Sequence, residues 1–121
     1  MIKMMTNGLS VLAADGLHSD GWCWPQTRLS LKALRDSPEL RIGIWLKPEP
    51  GQASRALFTI CADNAPPKAE FIEFDQPAEL TLAMSVRAGD ELSVSISTPH
   101  RASRGGDARD LSFVMSSLSL L

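Results

Sequence analysis

The stretch that decides the fold is LRIGIWL, residues 40–46, in which apolar residues occupy every second position. Leu40, Ile42, Ile44 and Leu46 have the same parity, so an extended backbone directs all four side chains to one face. Strict period-two alternation over this length is typical of a strand with one buried face and one exposed face. The stretch therefore predicts a β-strand that borders a core.

Similar patterns occur along most of the chain. Six further segments have the alternation or the composition of strands: 9–13, 28–33, 56–62, 69–74, 80–86 and 92–97. In a final apolar segment the parity changes between Met115 and Leu118, and a bulge near Ser116–Ser117 would return the last leucines to the core. The sequence thus predicts about eight strands. The side chains expected to share one core are Leu40, Ile42, Ile44, Leu82, Met84, Leu92, Val94, Ile96 and Phe113.

Turn-forming residues separate these segments, at 35–38, 48–51, 63–67 and 88–90. No segment of ten or more residues has the periodicity of an amphipathic helix. Many short strands between turns predict an all-β fold. We expect an antiparallel, jelly-roll-like β-sandwich that forms a single domain over residues 1–121.

Composition narrows the classes of partner. The chain has 121 residues, 44% of them hydrophobic, and a net charge of −2, which argues against nucleic acid because phosphate binding needs clustered positive charge. No apolar run reaches the ~20 residues of a membrane span. Cys23 and Cys61 fit neither a CxxC motif nor a disulfide framework, so we expect reduced thiols in a cytoplasmic protein, with Cys61 buried in a strand. The alternative is a single disulfide in an exported protein.

Four segments together resemble a known kind of domain: DGW (20–22), RLSLKA (28–33), LRIGIWL (40–46) and STPHRASRGGDARDLSF (97–113). The arrangement is similar to a β-sandwich accessory domain that accompanies bacterial glycosyltransferases and polysaccharide-biosynthesis proteins. Such domains combine a Gly/Asp-Gly-Trp element, an Arg-x-x-Leu strand, a Leu-x-Leu-x-Gly strand and an Arg/Asp-rich loop before the last strand. The resemblance implies a non-catalytic, carbohydrate-associated role, on a free glycan or in trans with a glycosyltransferase partner.

Polar and aromatic residues concentrate in two predicted loops, 14–27 and 99–110. If the first and last strands pair antiparallel, as is common in jelly rolls, both loops lie at the same end of the domain. Indole rings stack on the C–H faces of sugars, and Asp, Arg and His side chains hydrogen-bond to hydroxyl groups. The predicted ligand-binding residues are Asp20, Trp22, Trp24, His100, Arg101, Arg104, Asp107, Arg109 and Asp110, with His18 close by.

These residues also have structural interpretations. Trp22 or Trp24 would equally well close the end of the core, and Trp45 is expected to cover the outer face of its sheet. Arg109 and Asp110 have the spacing of an ion pair that holds the loop in place. The absence of tyrosine argues against a typical glycan-binding surface. The sequence leaves both interpretations open.

Catalysis has weaker support. No GxSxG nucleophile motif or phosphate loop is present, and Asp20 with Asp107 is no better a glycosidase pair than other acids. No residues have the spacing of a zinc site or an EF-hand. We therefore expect no enzyme, no cofactor and no metal. One alternative is a calcium ion that bridges the loops through Asp15, Asp20, Asp107 or Asp110.

A second class of function is a protein-interaction module. Such a domain would dock on a glycosyltransferase or on another copy of itself. The contact would be made by an exposed sheet face around Trp45 or by an unpaired edge strand. A broad exposed apolar patch would favour this alternative, whereas exposed loop tryptophans would favour carbohydrate binding.

Overall fold

The structure is a computed structural model that describes residues 5–18, 21–46, 55–63, 65–73, 76, 78–99 and 112–121. All regular secondary structure in these residues is β-strand, which confirms the all-β prediction. The described residues form nine strands where about eight were expected, because a three-residue strand precedes the predicted first one. The strands are β1 (Met5–Asn7), β2 (Leu9–Leu17), β3 (Trp22–Ala33), β4 (Ser37–Trp45), β5 (Arg55–Ala62), β6 (Ala65–Glu73), β7 (Ala78–Val86), β8 (Glu91–Ser97) and β9 (Phe113–Leu120).

The strands form one hydrogen-bonded path in the order β6-β5-β8-β3-β9-β4-β7, with β2 added to β3 and β1 added to β9. Every pair is antiparallel except β1 with β9. The end strands β6 and β7 lie side by side, and Lys68 Nζ donates to the Thr81 carbonyl oxygen at 2.6 Å. No backbone ladder joins β6 to β7 in the described part of the chain.

The expected antiparallel pairing of the first and last strands is wrong. β2 pairs with β3, and β1 runs parallel to the end of β9. The predicted loop 14–27 is instead a hairpin, in which only residues 18–21 connect the two strands. His18 N donates to Trp22 O at 2.8 Å and Gly21 N donates to His18 O at 3.0 Å, which closes this turn. Consecutive strands joined by so short a connection pair with each other.

The alternating residues form a single core. All nine side chains predicted to share it are buried in one cluster, none more than 4% exposed. Phe58 and Phe113 meet edge to face at its centre, with ring centroids 5.1 Å apart. Complete burial of such a side chain contributes about 1.5–3 kcal/mol to the hydrophobic driving force.

The change of parity in the last segment is a β-bulge, as predicted. Gly43 pairs with Ser117 and Ile44 pairs with Met115, so Ser116 is the extra residue in β9. The bulge leaves Met115, Leu118 and Leu120 all buried. A Cβ atom on Gly43 would collide with the hydroxyl oxygens of Ser116 and Ser117, so the close approach of β9 requires glycine there.

Two of the four predicted turns, 35–38 and 88–90, are largely correct, and 48–51 lies outside the described residues. The turn predicted at 63–67 is too long, because Pro66 and Pro67 lie inside β6. This strand pairs only with β5, and the free side of an end strand tolerates residues that lack an N–H group.

Neither cysteine forms a disulfide, as expected. Cys23 is buried on the core side of β3. The expectation that Cys61 is buried is wrong: it lies in β5 as predicted, but its position faces outward and is only half-buried.

Candidate functional site

Most of the predicted ligand-binding residues cannot be placed. Of the nine, only Trp22 and Trp24 belong to the described residues. The others lie outside them: Asp20, His100, Arg101, Arg104, Asp107, Arg109 and Asp110.

The described residues on either side of the Arg/Asp-rich segment contact the same part of β3. Thr98 N donates to Pro25 O at 2.9 Å, and Ser112 N donates to Cys23 O at 2.8 Å. The segment 99–111 thus leaves and rejoins the described fold beside the residues that flank Trp24.

Trp24 is an exposed indole with a fixed orientation. It lies on the outer face of β3, its residue surface is 40% exposed, and its Nε1 donates to Nε2 of His18 at 3.0 Å. The two rings meet edge to face with centroids 6.1 Å apart. One face of the domain therefore presents an aromatic surface that is already held in place.

The backbone around Gly16 supports Trp24. Gly16 has a φ of +86°, and a Cβ atom there would lie 2.7 Å from Gln26 O and 3.3 Å from Cε3 of Trp24. The buried Thr27 hydroxyl lies 3.2 Å from Trp24 O and 3.3 Å from Gly16 O. The position of the indole thus depends on a glycine and a buried hydroxyl of the same hairpin.

Trp22 and Trp45 are arranged differently. Both are cross-strand partners of Val114, because β9 lies between β3 and β4. Their rings meet edge to face with centroids 6.5 Å apart. Val114 is only 2% exposed although it does not belong to the main core cluster. The two indoles cover it, so Trp45 packs on the outer face of its sheet as predicted, and Trp22 shares that role.

The outward positions of β2, β3, β8 and β5 form a second surface, which we call the recessed face. Its side chains form three rows across the strands: Ala13–Ser30–Ser93, Asp15–Arg28–Ser95–Cys61 and Gln26–Ser97–Thr59. Because most of these side chains are small, two depressions remain above the sheet. The larger, about 510 Å³, covers the first two rows, and the smaller, about 390 Å³, covers the third.

The polar groups of the larger depression are mostly available to a ligand. Within the described residues, the hydroxyl groups of Ser30, Ser93 and Ser95 make no side-chain hydrogen bond. Arg28 lies opposite Asp15 on the neighbouring strand, and neither belongs to an ion pair in the described part of the structure. Asp63 is fixed at the rim, since its Oδ2 accepts from Ser93 N at 3.0 Å.

Sequence reasoning missed this surface. The alternating serines of 92–97 indicated only that one face of the strand is exposed. Their proximity to Arg28 and Cys61 results from the pairing of β8 with β3 and β5, which are far apart in sequence. A usable signal was the run of small polar residues at outward positions of several strands.

Among the described residues, no three His, Cys, Asp or Glu side chains are grouped so that they could hold a metal ion. Of the four calcium-ligand candidates only Asp15 is described; Asp20, Asp107 and Asp110 lie outside. The part of the chain that the structure describes contains no helix long and apolar enough to cross a membrane.

Comparison with known proteins does not assign the chain to a family. No protein-family model matches the chain, and no curated protein matches it significantly. Among solved structures, a salicylyl-acyltransferase, SsfX3, from a tetracycline biosynthetic pathway is similar, with 18% identity and a TM-score of 0.45. The match covers 90% of this chain and 35% of that one, so this chain spans about a third of that protein. Similarity at this level is too low to assign a function.

Proposed function

We propose that this protein is a non-catalytic carbohydrate-binding domain. One observation carries the proposal: Trp24 is exposed on an outer face and held by His18, beside a polar surface with two depressions. An aromatic ring offers an apolar surface to the C–H groups of a sugar, and polar side chains nearby pair with its hydroxyl groups. A ring that is already oriented loses little conformational freedom on binding, which favours affinity.

The remaining predicted residues have a place in this proposal. Thr98 and Ser112 are bonded to the residues on either side of Trp24, so the segment between them starts and ends beside the indole. Arginine and aspartate side chains in that position would hydrogen-bond to sugar hydroxyls. The proposed contributors are Asp20, His100, Arg101, Arg104, Asp107, Arg109 and Asp110. We assign Trp22 a supporting role, because its ring packs on Trp45.

The proposal also includes a sandwich architecture, a cytoplasmic location and a link to glycosyltransferases. Among the described residues no backbone ladder joins β6 to β7, which supports a two-layer, jelly-roll-like sandwich over a closed barrel. Cys23 and Cys61 are not joined in a disulfide, which supports a cytoplasmic location. The resemblance described for the sequence supports work on a free glycan or together with a glycosyltransferase.

The proposal is tested by comparing Trp24→Ala with Phe71→Ala on a glycan array. Both side chains are exposed aromatics, 40% and 53%, but Phe71 lies on β6, away from the hairpin. Trp24→Ala should lose the array signal and the glycan-induced change in tryptophan fluorescence, while Phe71→Ala keeps both. The melting temperatures of both variants should stay close to that of the parent. Equal binding by the two variants, or no array signal for the parent, would refute the proposal.

A second candidate function is a protein-interaction module, and a specific observation favours it. Leu57 and Phe71 are cross-strand partners on the outer faces of β5 and β6, 38% and 53% exposed. The guanidinium of Arg55 lies over the Phe71 ring at 4.3 Å. This apolar pair lies near the free edge of the sheet, not around Trp45. If Phe71→Ala changes the sedimentation behaviour of the protein while Trp24→Ala does not, this candidate takes precedence.

A further inference from the structure

The recessed face leads continuously to Trp24. Along the outer face of β3 the side chains are, in order, Trp24, Gln26, Arg28 and Ser30. At ~3.3 Å per residue they cover roughly 20 Å. The smaller depression borders Gln26 and the larger borders Arg28, so the two follow one another from the indole along the strand.

The side chains in the depressions limit the chemistry of a ligand. Hydroxyl groups dominate, and they act both as donors and as acceptors. In the larger depression the carboxylates of Asp15 and Asp63 outnumber the single guanidinium of Arg28, which disfavours an acidic ligand. Alanine side chains at positions 13, 14 and 62 line the larger depression beside the serine hydroxyl groups, so a purely apolar lipid tail would leave those hydroxyl groups without partners, whereas a sugar offers both C–H and hydroxyl groups. A neutral molecule rich in hydroxyl groups satisfies these conditions.

The size of the larger depression also fits a small molecule. Its volume of about 510 Å³ lies within the roughly 300–1,000 Å³ of ligand sites. One row across it places a carboxylate, a guanidinium and a hydroxyl on adjacent strands, at Asp15, Arg28 and Ser95. Adjacent strands are ~4.8 Å apart, so such a row can contact successive hydroxyl groups of one sugar ring.

We infer that the outer face of β3 and β8 binds several consecutive units of a neutral glycan chain. One unit stacks on Trp24, and another occupies the larger depression between Arg28 and Ser95. The inference rests on the proposed carbohydrate binding and adds to it the charge class of the glycan and the direction in which it lies. Residues outside the predicted site, Arg28 and Ser95 above all, then determine the preference for long chains.

The chain contains a natural reporter of occupancy. Cys61 lines the larger depression and is half-buried, whereas Cys23 is fully buried. N-ethylmaleimide should therefore react with Cys61 first, because thiol reactivity requires access to the sulfur. A sugar unit in the depression covers the thiol and slows this reaction. Cys61→Ala identifies the labelled site, since it should remove the fast phase.

The test measures the rate at which N-ethylmaleimide labels Cys61 in the presence of three series of oligosaccharides, which contain cellobiose, maltose and mannobiose respectively. Each series runs from the monosaccharide to progressively longer chains. In at least one series protection should increase with chain length and level off once the chain also reaches Trp24. Arg28→Ala should weaken protection about tenfold or more, the loss expected for a hydrogen bond to a charged group. The matched control is Lys32→Ala, which removes a positive charge from the same face of β3 outside the depression.

The outcomes separate this inference from the proposed function. No protection by any of the three series, protection that does not depend on length, or equal effects of Arg28→Ala and Lys32→Ala would each overturn the inference. If array binding depends on Trp24 in those cases, carbohydrate binding itself stands. If the array shows no glycan binding at all, both fail.

Discussion

Two outer faces of the same curved sheet differ in how their polar side chains are paired. On the charged face, the outer surface of β4 and β7, Arg41 Nε lies 2.6 Å from Glu39 Oε2 and 3.8 Å from Glu79 Oε1. The hydrogen bond that Arg41 Nε donates to the Glu39 carboxylate raises the pKa of Arg41 and keeps the guanidinium charged. On the recessed face, Arg28 borders a depression and has no ion-pair partner among the described residues. The polar side chains of the charged face pair with one another, whereas those of the recessed face are available to a ligand.

The difference follows from side-chain length. Outward positions of β4 and β7 carry Glu39, Arg41 and Glu79, whose side chains can reach one another, from Arg41 to Glu39 within β4 and from Arg41 to Glu79 across the ~4.8 Å between the strands. Outward positions of β8 and β5 carry Ser95 and Cys61, which cannot. Both strand pairs bury the same kind of apolar residue on the inner face. A binding surface therefore arises where outward side chains are too short to cover the sheet.

The largest expected effects test whether the two faces share one core. Ile42 lies beneath the charged face and Ile96 beneath the recessed face, and both are fully buried. Ile42→Ala and Ile96→Ala should each lower the free energy of unfolding by about 2–5 kcal/mol, measured by urea denaturation. The costs should be similar because both side chains belong to one cluster. A much smaller cost for Ile96→Ala would show that the recessed face lacks a packed core beneath it.

A smaller effect is expected at the bulge beside the charged face. Gly43→Ala should lower the free energy of unfolding by about 1–3 kcal/mol, because the new methyl group collides with the hydroxyl oxygens of Ser116 and Ser117. The control is the same change in a Ser116→Ala, Ser117→Ala background, where both oxygens are absent. Most of the loss should be recovered there. An equal loss in both backgrounds would place the strain elsewhere in β4.

The sequence predicted the inner faces better than the outer ones. The alternation in 40–46 identifies core residues without reference to any neighbour, because burial on one side of a strand leaves a period of two in its own sequence. The outer surfaces depend on which strands adjoin. Trp22 and Trp24 have the same parity, yet only Trp22 packs on Trp45, because β9 brings β4 beside the start of β3.

Prediction of the candidate site from the sequence was limited by the same dependence on which strands adjoin. The row that joins Arg28, Ser95 and Cys61 brings together residues from three distant segments, and no local pattern records such a pairing. The hairpin of β2 and β3 was misjudged because its aromatic and polar residues have the composition of a loop. What could be predicted was the presence of Trp24 near the end of the domain, not its bond to His18.

The two variants expected to change stability least test the comparison between the charged face and the recessed face most directly. Glu39→Gln and Asp15→Asn each remove one carboxylate without changing the shape of the side chain, the first on the charged face and the second on the recessed face. At high salt neither should shift the melting temperature beyond experimental scatter, because salt screens exposed ion pairs, which contribute little, and water solvates both groups. Glu39→Gln should remove a salt-dependent component of the melting temperature, since Arg41 then loses the carboxylate 2.6 Å from its Nε. Asp15→Asn should leave that component intact and instead weaken the protection of Cys61 by glycan, because the depression loses its strongest acceptor. If Glu39→Gln weakens protection as much as Asp15→Asn does, the glycan does not distinguish the two faces, and the contrast between paired and available polar groups does not determine where it binds.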